Sequence, residues 1–373
     1  MKNLAELPDV RGKTVFVRAD FNVPVVDGIV VDDFRIKKSF ATIDDLLSRG
    51  ARIILASHIE GGGATLKPVW EVLRQKYPVT FVETYYPEIP LSITDALSEG
   101  NIVLLENLRV YKEEKENDEI FSKHLASFAD YYVNEAFPSS HRAHASVVGV
   151  PKYIPGFAGL VLEDEVRELS KVFHPARPFL FILGGAKFET KLPLIEKFFQ
   201  SADTVFIGGA LANDFLRAKG VAMGKSLLSK ETFDLEKYLN EKLVIPEDVI
   251  VEGEGGTLTK YTGDILPSET ISDVGPQTID TVRSLINNAA CILWNGPLGN
   301  YEKGFKDATL ELARAIAGSK AISIVGGGDT VASIAELNLA EKFTFISTGG
   351  GAMLDFLANE TLPGIEALEA SAK

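Results

Sequence analysis

Cysteine is nearly absent. Cys291 is the only one in 373 residues, so no disulfide can form within the chain. It sits in the apolar run Ala290-Cys291-Ile292-Leu293-Trp294, where a free thiol is expected to be buried filler rather than a nucleophile. Long apolar runs are missing too. No stretch approaches the ~18 residues of a membrane span, and Met1 to Lys13 hold no apolar core of a leader. A soluble, cytoplasmic protein is the expectation. Positive charge is in deficit: 38 Lys and Arg stand against 52 Asp and Glu, a net charge of −14. Such a surface repels nucleic acid and anionic lipid, so neither is expected as a partner. Any anionic ligand must find a local basic pocket. The histidines show no zinc spacing, no Gly-x-Gly-x-x-Gly follows the first apolar run, and no serine has a nucleophile-elbow context. Gly220-Val221-Ala222-Met223-Gly224-Lys225-Ser226 has three residues between its glycines, where a P-loop needs four. Zinc chemistry, dinucleotide-dependent hydride transfer and acyl transfer are thereby disfavoured.

What is present is an ordinary globular composition, 46% hydrophobic and 24% charged, over a length that suits about two to three domains. Short apolar runs recur, each followed by glycine or a polar cluster and then a helical pattern. They include 14–17, 53–56, 102–105 and 131–133, then 179–183, 204–207, 249–251, 291–294, 322–325 and 343–346. Near-continuous apolar runs suit strands covered on both faces, so the alternation predicts an α/β protein with two parallel sheets. Residues 39–49, 163–172 and 192–200 carry the apolar spacing of crossover helices. Prolines and glycines from Pro151 to Pro178 bracket one helical stretch, 160–173, which marks a boundary and a hinge. The mixed-charge run 112–118 reads as a solvated loop or helix start.

In open α/β sheets ligands bind beyond the carboxyl ends of the strands. In the first half the residues there are Arg18, Asp20, Asn22, His58, Asn107, Arg109, Asn134, Glu135, His141, Arg142 and His144, with Arg35 just downstream of the first strand. Arginines and histidines gathered at strand ends of an acidic protein predict a pocket for a small molecule carrying phosphate and carboxylate groups. The second half is different in kind: Gly184-Gly185-Ala186-Lys187, Gly208-Gly209-Ala210, Asn295-Gly296-Pro297, Gly326-Gly327-Gly328-Asp329-Thr330 and Thr348-Gly349-Gly350-Gly351. Glycine lets backbone approach a ligand closely, and the first amides of a following helix then face an anion. These strand ends predict a nucleotide site. Lys187 and Lys191, four apart, would reach the phosphates from one helix face, and Asp329 is a hard oxygen ligand suited to Mg²⁺.

Taken together, the motifs resemble the phosphoglycerate kinase family. The resemblance rests on Arg18-Ala19-Asp20-Phe21-Asn22-Val23-Pro24, Ser57-His58, Glu106-Asn107-Leu108-Arg109, His141-Arg142-Ala143-His144, Gly184-Gly185-Ala186-Lys187, Trp294-Asn295-Gly296-Pro297 and the two glycine triplets, in order along nearly the whole chain. It implies two Rossmann-like three-layer α/β/α domains. Residues 1–159 would bind 3-phosphoglycerate, residues 160–173 would link the domains, residues 174–357 would bind the nucleotide, and 358–373 would return to the first domain. On this resemblance Asp20, Phe21, Asn22, Arg35, His58, Arg109 and Arg142 would hold the substrate. Lys191, Gly208, Gly209, Asn295, Glu302, Gly327, Gly328, Asp329 and Thr330 would hold ADP or ATP, with Asp329 on Mg²⁺. Arg35, Lys187 and the amides of Gly349, Gly350 and Gly351 would face the phosphoryl group in flight. A monomeric glycolytic enzyme is implied. The chain departs from the family at Glu60-Gly61-Gly62-Gly63, where Gly-Arg-Pro is usual after Ser-His-x, so one substrate arginine is missing. Losing one charge-assisted hydrogen bond costs about 1.5–3 kcal/mol, with Lys67 the candidate to compensate. The alternative reading is a nucleotide-binding pseudoenzyme whose substrate site Glu60 and Gly61 have weakened.

Overall fold

The computed structural model describes residues 1–61, 64–98 and 102–371. Gly62 and Gly63 of the loop after His58, and residues 372 and 373 of the returning segment, lie outside the described residues. The chain separates into two compact units, Met1–Arg167 with Asn359–Lys373, and Glu168–Ala358. Each is built around its own parallel sheet. The division falls inside a single helix, Leu160–Ser170.

Unit 1 contains β1 (Thr14–Arg18), a small hairpin of β2 (Val25–Val26) and β3 (Ile29–Val30), then β4 (Arg52–Ala56), β5 (Val79–Val82), β6 (Ile102–Leu105), β7 (Tyr131–Asn134) and β8 (Gly156–Ala158). Six of these form one sheet in the order β5-β6-β4-β1-β7-β8, with every neighbouring pair parallel. Val15, Phe16 and Val17 of β1 are fully buried, which requires cover on both faces of the strand and explains its unbroken apolar run. Val15 and Val17 pack with Leu55, Leu104 and Val133 in one core. The register sets Arg18 beside Ala56 and Asn134, so the segments leaving β1, β4 and β7 emerge at one edge of the sheet. The helix Pro363–Glu369 belongs to this unit: the Gly364 N–H donates to Ser140 O at 2.8 Å, and Leu362, Ile365 and Leu368 are buried.

Unit 2 contains β9 (Phe179–Leu183), β10 (Thr204–Ile207), β11 (Leu243–Val244), β12 (Asp248–Gly253), β13 (Gly256–Tyr261), β14 (Thr270–Val274), β15 (Cys291–Asn295), β16 (Ile322–Gly326) and β17 (Phe345–Ile346). The main sheet runs β11-β10-β9-β15-β16-β17, again all parallel. Its centre is the driest part of the unit: every residue of β9 and β15 is buried, and Trp294 joins Ile182, Phe206 and Val325 in the core. Burial pushes the Cys291 thiol up to about 11, which leaves it a core filler.

Two expectations need correction here. Residues 249–251 do not join the parallel sheet; β12 is the centre of an antiparallel trio, β13-β12-β14. Gly253 pairs with Gly256, so a two-residue glycine-containing turn folds the chain straight back, which a parallel crossover cannot do. The charged run 112–118 is not simply solvated. It forms the helix Lys112–Glu116, and Glu114 within it is fully buried.

Candidate active site

The carboxyl edge of the unit 1 sheet carries a basic cluster. Arg35, on the helix Phe34–Lys38, reaches back so that Nη1 donates to Asp20 Oδ2 at 3.2 Å and to Asn22 O at 3.1 Å. Asn22 Oδ1 in turn accepts the Glu60 N–H at 3.0 Å. Arg109 follows β6 by way of Asn107, whose amide clamps the loop after His58: Nδ2 donates to Ile59 O and Ala64 O, both at 2.9 Å. Arg109 Nη1 donates to Glu60 Oε1 at 2.8 Å. Phe21 is fully buried and lends only its backbone, donating to Ser57 Oγ at 2.8 Å. Arg142 is exposed, yet close enough for its charge to act on His144. Lys67, the candidate to compensate for the missing arginine, has its Nζ 2.6 Å from Glu83 Oε1.

Behind this surface lies a network in which Arg18, expected at the pocket itself, serves from within, and to which Glu114 and Ser146 add unexpected members. Arg18 is fully buried. Its Nε donates to Ser146 Oγ at 2.8 Å and its Nη2 to His58 Nδ1 at 3.2 Å, while Nη1 donates to Ala19 O. Glu114 closes the circuit, accepting from Ser146 N at 2.9 Å and Ser146 Oγ at 2.6 Å. Burial pushes the Glu114 carboxyl up, and the Arg18 charge and both Ser146 bonds pull against it. Burial, then Arg18 and Arg109, hold His58 far below the ordinary imidazole range. Burial, followed by Arg109, Arg18 and Arg142, brings His144 down to about 4. Both imidazoles are therefore neutral at pH 7. With Arg18 donating to Nδ1, the His58 proton sits on Nε2, where it can donate to a ligand oxygen. Nothing local in the sequence announces Glu114; its partner Ser146 is 32 residues away.

In unit 2 a cavity of about 660 Å³ opens at the carboxyl ends of β9, β15 and β16. Gly185, Lys187, Lys191, Gly209, Asn295 and Gly296 line one part of it, with Gly327, Gly328, Asp329, Gly350 and Gly351. Leu216, Leu227, Val249, Ile271 and Leu298 give it an apolar wall, and Glu302 lies at its edge. The helices Phe188–Ser201, Gly209–Ala218 and Gly328–Glu336 all start here, and no side chain caps any of the three. Lys187 is the exposed residue before the first of them, whereas Lys191 is buried within it. The Lys191 ammonium donates to Gly184 O. Burial lowers it to about 8, with the Asp329 charge opposing and the Lys187 charge assisting. Gly296 has φ +92°, and a Cβ there would meet Gly184 O at 2.4 Å and Lys191 Nζ at 2.8 Å, so only glycine fits.

Two residues expected at the nucleotide, Thr330 and Gly208, and one expected at the phosphoryl group in flight, Gly349, do not line the cavity. Thr330 is fully buried, and its Oγ1 accepts the Gly296 N–H at 2.9 Å. Gly208 is buried, with the cavity beginning at Gly209. The Gly349 N–H is already given to Ser347 Oγ at 3.1 Å. Among the described residues no three His, Cys, Asp or Glu side chains group as a metal cage. Of the three acidic residues that line the cavity, Asp273, Glu302 and Asp329, Asp273 already accepts the Val274 and Ala308 N–H groups, and Asp329 at the start of its helix suits Mg²⁺, which binds through one or two carboxylates plus substrate phosphates.

A basic cluster suited to an anionic acid and a glycine-lined cavity with lysines and carboxylates are the parts of a small-molecule phosphotransferase. The family model described as phosphoglycerate kinase matches residues 4–360. A protein named phosphoglycerate kinase from Leptospira biflexa is 42% identical over 386 aligned residues, covering 98% of both chains. One from Dictyoglomus turgidum is 41% identical, covering 97% of this chain and 96% of its own. The solved structure of phosphoglycerate kinase from Coxiella burnetii matches with a TM-score of 0.85 at 34% identity, over 98% of each chain. The chain belongs to the phosphoglycerate kinase family. The pseudoenzyme reading finds no support, since Arg35, Arg109, Arg142, Lys187, Lys191 and Asp329 are all retained.

Proposed function

We propose that this chain catalyses the reversible, Mg²⁺-dependent transfer of a phosphoryl group between ATP and the carboxylate of 3-phosphoglycerate, as a monomeric cytoplasmic enzyme of glycolysis. The observation that carries the reading is the gathering of Arg35, Arg109 and His58, backed by the buried Arg18 and by His144, at strand ends of a protein whose net charge is −14. Such a pocket suits an acid bearing both phosphate and carboxylate.

Asp20, Asn22, Arg35, His58, Arg109 and Arg142 would hold that acid, with Phe21 shaping the loop by its backbone. Lys191, Gly209, Asn295, Glu302, Gly327, Gly328 and Asp329 would hold the nucleotide, and Gly208 and Thr330 would support them from behind. Mg²⁺ held by Asp329 and the nucleotide phosphates would neutralise charge on those phosphates. A carboxylate oxygen of the acid attacks the γ-phosphorus, the bond to the bridging oxygen breaks, and ADP leaves with the electron pair. The acceptor is already ionised at pH 7, so no general base is needed. Positioning and charge neutralisation supply the catalysis, through Arg35, Lys187 and the amides of Gly350 and Gly351. Ligands carried by a substrate domain, 1–159 with 358–373, and a nucleotide domain, 174–357, must be brought together with water excluded. We assign the hinge for that motion to residues 160–173.

The test is ATP-dependent phosphorylation of 3-phosphoglycerate, followed with and without Mg²⁺ and beside other small phosphorylated acids. Turnover that chelation abolishes is expected. Tight MgADP binding without turnover on 3-phosphoglycerate would overturn the reading.

A further inference from the structure

Two arginines of the basic cluster already have a carboxylate of the chain itself as partner, and the two pairs are built differently. Asp20, against Arg35, has a side chain only 6% exposed. It is fixed in place, since its Oδ1 accepts the Asn22 N–H at 3.1 Å. Glu60, against Arg109, has a side chain 68% exposed, while that of Arg109 is 15% exposed. Its carboxylate takes a single hydrogen bond of 2.8 Å from Nη1, and the Arg109 Nε is buried without a hydrogen-bond partner. A guanidinium held by one hydrogen bond from one terminal nitrogen is not saturated, and an oxyanion that bridges Nη1 and Nη2 would bind it better. The Glu60 backbone is nevertheless pinned beside the site, by Asn22 on its own N–H and by Asn107 on the preceding residue. Its carboxylate is thus a tethered anion always within reach of Arg109.

We propose that Glu60 is the resident counter-ion of Arg109, which the incoming anionic group of the substrate must displace, and that it thereby sets substrate affinity without entering the chemistry. The inference rests on the function proposed above. An internal competitor acts as a tax: the apparent dissociation constant is the intrinsic one divided by the fraction of molecules in which Arg109 is free. The pair is partly exposed and singly bonded, so the tax is small, about two- to fivefold.

Glu60→Gln in the full chain removes the charge and keeps the shape. The KM for 3-phosphoglycerate is expected to fall about two- to fivefold while kcat and the KM for ATP stay in place, and inorganic phosphate should bind more tightly by a similar factor in calorimetry. Glu60→Ala must move both quantities the same way. An unchanged or raised KM for 3-phosphoglycerate in a folded Glu60→Gln protein, with the KM for ATP intact, overturns the proposal. If the parent protein turns over no 3-phosphoglycerate, the proposed function fails instead, and the phosphate titration still decides the role of Glu60: tighter binding supports displacement, unchanged binding rejects it.

Discussion

Lys191 carries a charge into a place that resists it. Its ammonium, buried and lowered to about 8, loses its proton as pH rises through that value in the free protein. ADP affinity is therefore expected to weaken from about pH 7 to about pH 9, and Lys191→Met to bind weakly and without that slope. Calorimetry across the range checks both. Stability runs the other way. The unfolded chain keeps this proton up to about pH 10.4, so between about 8 and 10.4 the unfolded state binds more protons and stability rises with pH. Arg35 works by other means: its side chain is 35% exposed and its proposed partner is the group in transfer. Arg35→Ala is expected to lower kcat by about 10²-fold or more and to change ADP affinity less than twofold. Comparable losses in steady-state rate and in ADP binding would remove it from the chemistry.

Turns between strand and helix shape the cavity of unit 2. Gly184 N–H donates to Asn295 O and Gly185 N–H to Pro297 O, both at 2.8 Å, so the turns after β9 and β15 are stitched together. Gly296→Ala would drive a methyl group into the Gly184 carbonyl. If the full strain of about 1–3 kcal/mol at such a position falls on binding, ADP affinity drops about five- to 150-fold with 3-phosphoglycerate affinity unchanged; separate titrations with each ligand test the pair. These turns were legible in the sequence because a positive φ and a close approach leave glycine as the one residue that fits, and glycine is visible in one dimension. Which hydrogen-bond donors remain available was not. The Gly349 amide donates to Ser347 Oγ two residues earlier, and the Gly296 amide donates to Thr330 Oγ1 beyond another strand end, choices made only in the folded chain. Glu114 was hidden for the same reason. Among Glu113, Lys115 and Glu116 it looked solvated, and only the distant Ser146 gives it a place inside. The antiparallel trio was misread because Val249-Ile250-Val251 is as apolar as a parallel strand, although the glycines after it signalled the turn.

On the scale of the whole molecule, the parallel sheets followed from unbroken apolar runs, and the composite make-up of unit 1 is the feature with most bearing on experiment. Leu362, Ile365 and Leu368 are buried in a unit whose other residues end at Arg167. At about 1.5–3 kcal/mol for each side chain, the three contribute about 5–9 kcal/mol, against a total of about 5–15 kcal/mol for a typical domain. A chain ending at Ala358 is expected to keep ADP binding while losing 3-phosphoglycerate binding and the unfolding transition of unit 1. Retention of 3-phosphoglycerate binding by that chain would show the segment to be dispensable. The same feature orders events during synthesis. Translation completes unit 2 while unit 1, begun first, still lacks three of its buried side chains. The N-terminal half leaves the ribosome first and is finished last, and for roughly the time taken to translate 191 residues it exposes the surface that the returning helix will cover. A nascent chain paused in that interval would offer chaperones an incomplete first half beside a second half whose sequence is already complete.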